Sequence, residues 1–133
     1  MYATVLVPVS LDQETTAEAA CAVARALRNP GARMVLLHVM EEIPGYAQTY
    51  LPEGTQDRLR RDAEAALRRI GGEEAEVIVT SGHPSRTILD TAEREAADCI
   101  VIASHDPGLP DYFLGSTATQ VVRHAHCSVH VLR

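Results

Sequence analysis

The chain predicts an open, doubly wound α/β domain on a five-stranded parallel sheet. Three observations carry that expectation: short runs rich in Val, Ile and Leu, apolar residues at helical spacing between them, and Gly- or Pro-bearing stops closing the first two helical intervals. The strand runs are Thr4 to Val9, Arg33 to Val39, Ala75 to Thr80, Cys99 to Ala103 and Ser128 to Leu132. They lack clean polar alternation. Continuous stretches such as Val5-Leu6-Val7 and Ile100-Val101-Ile102 predict strands covered on both faces, as in parallel sheets flanked by helices. The fifth run is the least regular, because it contains His130.

Between the strands the apolar period changes. Ala20, Val23, Ala24 and Leu27 predict a first amphipathic helix, closed by Asn29-Pro30-Gly31, and Leu59, Ala63, Ala66, Leu67 and Ile70 predict a second, closed by Gly71-Gly72. A third is expected from Ser85 as N-cap, with Ile88, Leu89, Ala92 and Ala96 inward, and a fourth from near Ser116, burying Ala118, Val121, Val122 and Ala125. The order βαβαβαβαβ requires right-handed crossovers. Only Met40 to Thr55 is long and irregular, and a loop of that length is either functional or a surface excursion.

With 133 residues the expectation is one domain, with no repeat and no second unit. No apolar run approaches the roughly 20 residues that span a bilayer, so a soluble chain with no membrane partner is expected. The net charge of −6 and a pI near 5.4 argue against direct nucleic-acid binding, which needs a basic surface. All 12 basic residues are Arg. The absence of Lys removes Schiff-base chemistry, the G-x-x-x-x-G-K-[ST] phosphate loop and lysine-activated serines. Cys21, Cys99 and Cys127 are spaced unlike a zinc knuckle or a C-x-x-C pair and predict reduced thiols in a cytoplasm. Residues 1–8 lack the basic flank and long apolar stretch of a secretory signal.

In open α/β sheets a ligand sits outside the carboxyl ends of the strands, where the winding reverses. After the fourth strand a turn-rich segment runs from Ala103 to Thr117 into a helix. Its end can bind an anion: Gly115 permits close backbone approach, and the N–H groups of Ser116, Thr117 and Ala118, with two hydroxyls, face outward at a helix start. Phosphate fits such a site. A plain turn and N-cap fits the same spacing, and spacing alone leaves both readings open.

The segment Ile102-Ala103-Ser104-His105 through Gly115-Ser116 to Val121-Val122-Arg123-His124-Ala125-His126-Cys127-Ser128-Val129 resembles the carboxyl-terminal signature of the universal stress protein family. Val5-Leu6-Val7-Pro8-Val9, Leu36-Leu37-His38-Val39 and Gly82-His83-Pro84 with Ile88 and Leu89 resemble its earlier elements, so the likeness covers the whole chain as one such domain, residues 1–133. It implies a Rossmann-like fold of the adenine nucleotide alpha hydrolase type, a homodimer, and in many members ATP binding through G-x-x-G, nine residues, then G-S or G-T. Here Ala103 stands at the first glycine, Asp106 at the second, and Pro107 to Leu114 supply eight residues. Asp106 would repel a triphosphate. The Ala-Ser-His start, Pro107 and Tyr112-x-Leu114-Gly115-Ser116 instead resemble a small bacterial subgroup that retains nucleotide binding.

The resemblance therefore implies a nucleotide site at Pro8, Val9, Ser10, Asp12, Val39, Ala103, Ser104, His105, Pro107, Gly115, Ser116, Thr117 and Ala118. Ser10 stands where the family usually has an aspartate near the adenosine end. Asp12 is either its substitute or a capping residue, and the main chain around Val39 is the expected adenine contact. The ligand is ATP or AMP, with Mg2+ held only through its phosphates. The last strand, with Val129, His130, Val131 and Leu132, is the expected homodimer edge, since an uncovered edge leaves backbone groups unpaired. An unknown protein partner belongs to the same expectation. A member that has lost nucleotide and works only through partners, or a slow ATPase or phosphotransferase, stays open.

No catalytic residue is assigned. Ser104-His105-Asp106 spells a hydrolase triad only on paper, because contiguous residues do not converge as nucleophile, base and orienter. His124, His126, Cys127 and His130 suggest a metal, but Cys127 and His130 fall on opposite faces of a strand. Arg58, Arg60, Arg61, Arg68 and Arg69 interleave with Asp57, Asp62 and Glu64 as a solvated helix face.

Overall fold

The computed structural model describes residues 1–104 and 114–133. Five parallel strands form one sheet: β1 (Tyr2–Pro8), β2 (Arg28–Met40), β3 (Glu76–Ser81), β4 (Cys99–Ala103) and β5 (Ser128–Leu132). Their order is β3-β2-β1-β4-β5, so the winding reverses between β1 and β4, as in other doubly wound sheets. The helices are α1 (Glu14–Leu27), α2 (Gly45–Gln48), α3 (Thr55–Gly71), α4 (Pro84–Arg94) and α5 (Ser116–His124).

Successive strand side chains point to opposite faces, and both faces here are covered. Val5 and Val7 of β1, with Met34 and Leu36 of β2, pack under α1 and α3 beside Cys21, Ala24 and Leu67. Leu6, Val35 and Leu37 pack under α4 and α5 beside Ile88, Ala118 and Val121. Val5, Leu6, Val7, Val35 and Leu36 are all 0% exposed. At about 1.5–3 kcal/mol for each large side chain removed from water, these uninterrupted runs are the principal drive for the sheet. Among the described residues no helix is long and apolar enough to cross a membrane.

Several local expectations are corrected. α1 passes directly into β2 at Arg28, so Asn29-Pro30-Gly31 lies within the strand, where Gly31 takes φ 76° beside a register shift between Tyr2 and Thr4. The N-cap of α4 is His83, whose Nδ1 accepts from the Arg86 N–H at 3.5 Å; Pro84 follows it, and Ser85 is buried one step further in. Ala96 is not an inward helical residue: α4 ends at Arg94, and Ala96 is exposed at φ 54°. Leu59 and Val122 are 43% and 45% exposed, at the margins of their apolar stripes. The long connection after β2 contains the single turn α2, and Tyr46 and Tyr50 stand out from it into solvent.

At the amino ends of the strands, Asp98 clamps β1 to β4. Its carboxylate accepts the N–H of Ala3 and of Thr4, both at 2.9 Å, while its own N–H donates to the Thr4 carbonyl at 3.0 Å. Burial opposes ionisation of Asp98, but these backbone bonds outweigh it and hold its pKa below the ordinary 3.8. Asp98→Ala should therefore lower stability by about 1–2 kcal/mol at pH 7, since two N–H groups lose their acceptor. A depressed folded-state pKa contributes stability above the unfolded value and loses it as pH falls through the folded one. The gap between parent and variant in urea titrations should thus close below pH 3.8; a gap of the same size at pH 2 and pH 7 would contradict the clamp.

Candidate functional site

The carboxyl ends of β1, β2 and β4 open into a cleft of about 380 Å³. Pro8, Val9 and Ser10 form its floor at the end of β1, Leu37, His38, Val39 and Glu41 one wall from β2, and Ile102, Ala103 and Ser104 the other from β4. Gln13, Thr16, Ala17 and Ala20 of the α1 segment, Pro84 and Ile88 of α4, and Gly115 to Ala118 of α5 complete the lining. The cleft thus sits at the reversal of strand order, within the roughly 300–1,000 Å³ of ordinary small-molecule sites.

Two helices point uncapped N-termini at this space. The N-cap of α5 is Gly115 at φ −62° and ψ 159°, with no side-chain cap; its carbonyl accepts the Thr119 N–H at 2.9 Å, so Ser116, Thr117 and Ala118 carry the first-turn donors. The N-cap of α1 is Gln13, also without a side-chain cap bond. The α5 entry is pinned from both sides, because the Gly115 N–H donates to the Ser104 carbonyl at 2.9 Å and the Ser104 N–H to the Leu132 carbonyl at 2.8 Å. Among the described lining residues there is no Arg, and Glu41 is the one carboxylate. An anion here is met by main-chain N–H groups, helix dipoles and the hydroxyls of Ser10, Thr16, Ser116 and Thr117.

No thiol lines the cleft among the described residues. Burial pushes the Cys99 thiol up to about 11 and raises Cys21 and Cys127 as well, so none is a ready thiolate at neutral pH. His126 pairs with Glu93 at 3.0 Å on the surface, and His124 and His130 are exposed.

Residues 1–133 match the universal stress protein family. The chain belongs to that family. A universal stress protein from the QAH/OAS sulfhydrylase 3′ region of Thermus aquaticus is 32% identical over 139 residues, the match covering 100% of both chains. Among solved structures, the hypothetical protein MJ0577 superposes with a TM-score of 0.81 at 24% identity, covering 99% of this chain and 96% of that one. A universal stress protein in complex with cAMP gives 0.66 at 19% identity over 99% and 97% of the two chains. One from Archaeoglobus fulgidus in complex with dAMP gives 0.60 at 22% identity over 99% and 98%.

Within this universal stress protein fold, Pro8, Val9, Ser10, Val39, Ala103, Ser104, Gly115, Ser116, Thr117 and Ala118 come together around the cleft. Asp12 does not join them: it is exposed in the turn before α1 and is absent from the lining. His105 and Pro107, like Asp106, lie outside the described residues. The α1 contribution is the part that strand-end reasoning misses. Gln13, Thr16, Ala17 and Ala20 form an i, i+3, i+4, i+7 stripe, a periodicity that the sequence does display. Read from composition, its alanines pass for ordinary core. Glu41 and His38 are missed because the reading at this strand end rests on the Val39 main chain and gives no role to the side chains on either side of it.

Proposed function

We propose that this universal stress protein binds an adenine nucleotide in the cleft, with the phosphate at Gly115, Ser116 and Thr117 and the base against the main chain of Val39. The observation that carries the reading is the uncapped α5 N-terminus facing the cleft from directly behind Gly115. Two solved relatives supply the ligand class, since cAMP and dAMP share adenine, a sugar and one phosphate. Ser10, Gln13 and Thr16 then offer neutral hydrogen-bonding groups to the sugar, and Mg2+ enters only with a di- or triphosphate. Purified protein should release an adenine nucleotide on denaturation, read by mass spectrometry, and calorimetry should show AMP or ATP binding after its removal. A ligand-free preparation that binds neither overturns the proposal.

The protein is also proposed to act as a cytoplasmic homodimer joined through β5. Three free thiols suit a reducing compartment, and β5 is an edge strand with one hydrogen-bonded neighbour, β4. The Leu132 carbonyl points inward to Ser104. Alternation therefore turns the N–H groups of Val129 and Val131 outward, where a second copy can pair with them. Signalling through a further protein partner fits the same surface role.

A further inference from the structure

The β1–β2 ladder ends at Val9, and a side chain occupies the carbonyl that would continue it. Its last rung runs from the Val9 N–H to the Leu37 carbonyl at 2.8 Å. The next would carry the Val39 N–H to the Val9 carbonyl, since Leu37 and Val39 present their backbone groups to the same side. Among the described residues that rung is not formed. The Val9 carbonyl is instead held by the imidazole of His38 at 2.9 Å. A carbonyl only accepts, so Nδ1 carries the proton and donates. On its other side β2 continues, pairing Val39 with Thr80 and Met40 with Ser81. Val39 is thus fixed in extended geometry by β3, while its N–H and carbonyl toward β1 open into the cleft that Val39, His38 and Val9 all line.

Resting on the nucleotide reading above, we infer that His38 is a positioning residue: by occupying the Val9 carbonyl it ends the ladder one rung short and keeps the Val39 main-chain donor and acceptor available to the edge of the base. An adenine edge presents a ring nitrogen that accepts and an exocyclic amine that donates, which matches one N–H and one carbonyl of a single residue. Were the rung closed, the Val39 donor would be spent inside the sheet. The base end of the cleft would then lose a hydrogen bond while the phosphate end stayed intact.

The test compares the parent with His38→Leu, which removes the donor, and His38→Asn, whose amide nitrogen occupies nearly the Nδ1 position. Amide exchange without ligand is the first readout. The Val39 amide should exchange at least about tenfold faster than that of Leu37 in the parent and in His38→Asn, and become protected in His38→Leu. Calorimetry is the second: AMP affinity should fall about tenfold in His38→Leu and recover in His38→Asn, while ribose 5-phosphate, which lacks the base, binds all three alike. A protected Val39 amide in the parent overturns the inference, as does a His38→Leu protein with unchanged exchange and AMP affinity. Equal loss of AMP and ribose 5-phosphate, or failure of Asn to restore AMP, overturns it too, by assigning His38 a general structural role or direct ligand contact. A parent that binds neither compound overturns the nucleotide reading instead, and the Val39 exchange pattern, which needs no ligand, still decides where the ladder ends.

Discussion

Gly115→Asp should weaken nucleotide binding by more than about a hundredfold while the protein still folds. The new carboxylate would stand at the α5 N-terminus, where the phosphate is proposed to sit. Two like charges about 4 Å apart repel by about 4 kcal/mol at an effective dielectric of 20, more than the roughly 2.7 kcal/mol that a hundredfold requires. Asp at an N-cap also bonds its own first-turn N–H groups, so it competes for the donors of Thr117 and Ala118. The backbone admits the change, because Gly115 sits at φ −62°, open to any residue, and α5 has no side-chain cap to lose; Gly115 is itself buried, so the melting temperature reads what the new side chain costs the fold. Calorimetry with AMP and thermal melting followed by circular dichroism check both halves. Gly115→Asn, neutral and of the same shape, should fall between parent and Asp variant. Equal affinity in parent and Asp variant would remove the phosphate from this position.

Val131→Pro should convert the proposed dimer to monomers, raising its dissociation constant by at least about a hundredfold, since a missing donor and a rigid ring both oppose cross-pairing at the centre of the edge. Within one subunit the substitution is mild. Val131 turns its N–H away from β4, so the β4–β5 ladder, including the Ser104 to Leu132 bond of 2.8 Å, is preserved. Light scattering across a dilution series reads the result. A variant as dimeric as the parent would place the interface elsewhere, and a parent monomeric at high concentration would dispose of the dimer itself.

The sheet was legible because burial on both faces leaves a plain mark: Val5-Leu6-Val7 and Ile100-Val101-Ile102 carry no polar residue, and each of these is at most 5% exposed. Helix margins were less so. Leu59 and Val122 sit at the edges of stripes whose width depends on the neighbour packed against them, and no local periodicity encodes that width. α2 is a single turn, too short to show a period. In the cleft, topology alone directs attention to residues that follow strands, and it is the family resemblance that singles out Val9, Ser10, Val39 and Ser104 among them. His38 could not be read the same way, because its significance depends on a carbonyl 29 residues away, at Val9.

The entry into α5 is held by a chain of two hydrogen bonds, Gly115 to Ser104 and Ser104 to Leu132. The proposed phosphate site and the proposed subunit edge are therefore linked through the ladder and lie at the two ends of a helix only about 13 Å long by its 1.5 Å rise per residue. If nucleotide binds at α5 and a second copy pairs with β5, as proposed, this chain of bonds gives occupancy and assembly a physical link. By thermodynamic reciprocity, any factor by which nucleotide tightens the subunit contact is the factor by which the contact tightens nucleotide. A titration at nanomolar protein and one at millimolar protein would sample different mixtures of species, so an affinity for this protein has meaning only beside the concentration at which it was measured.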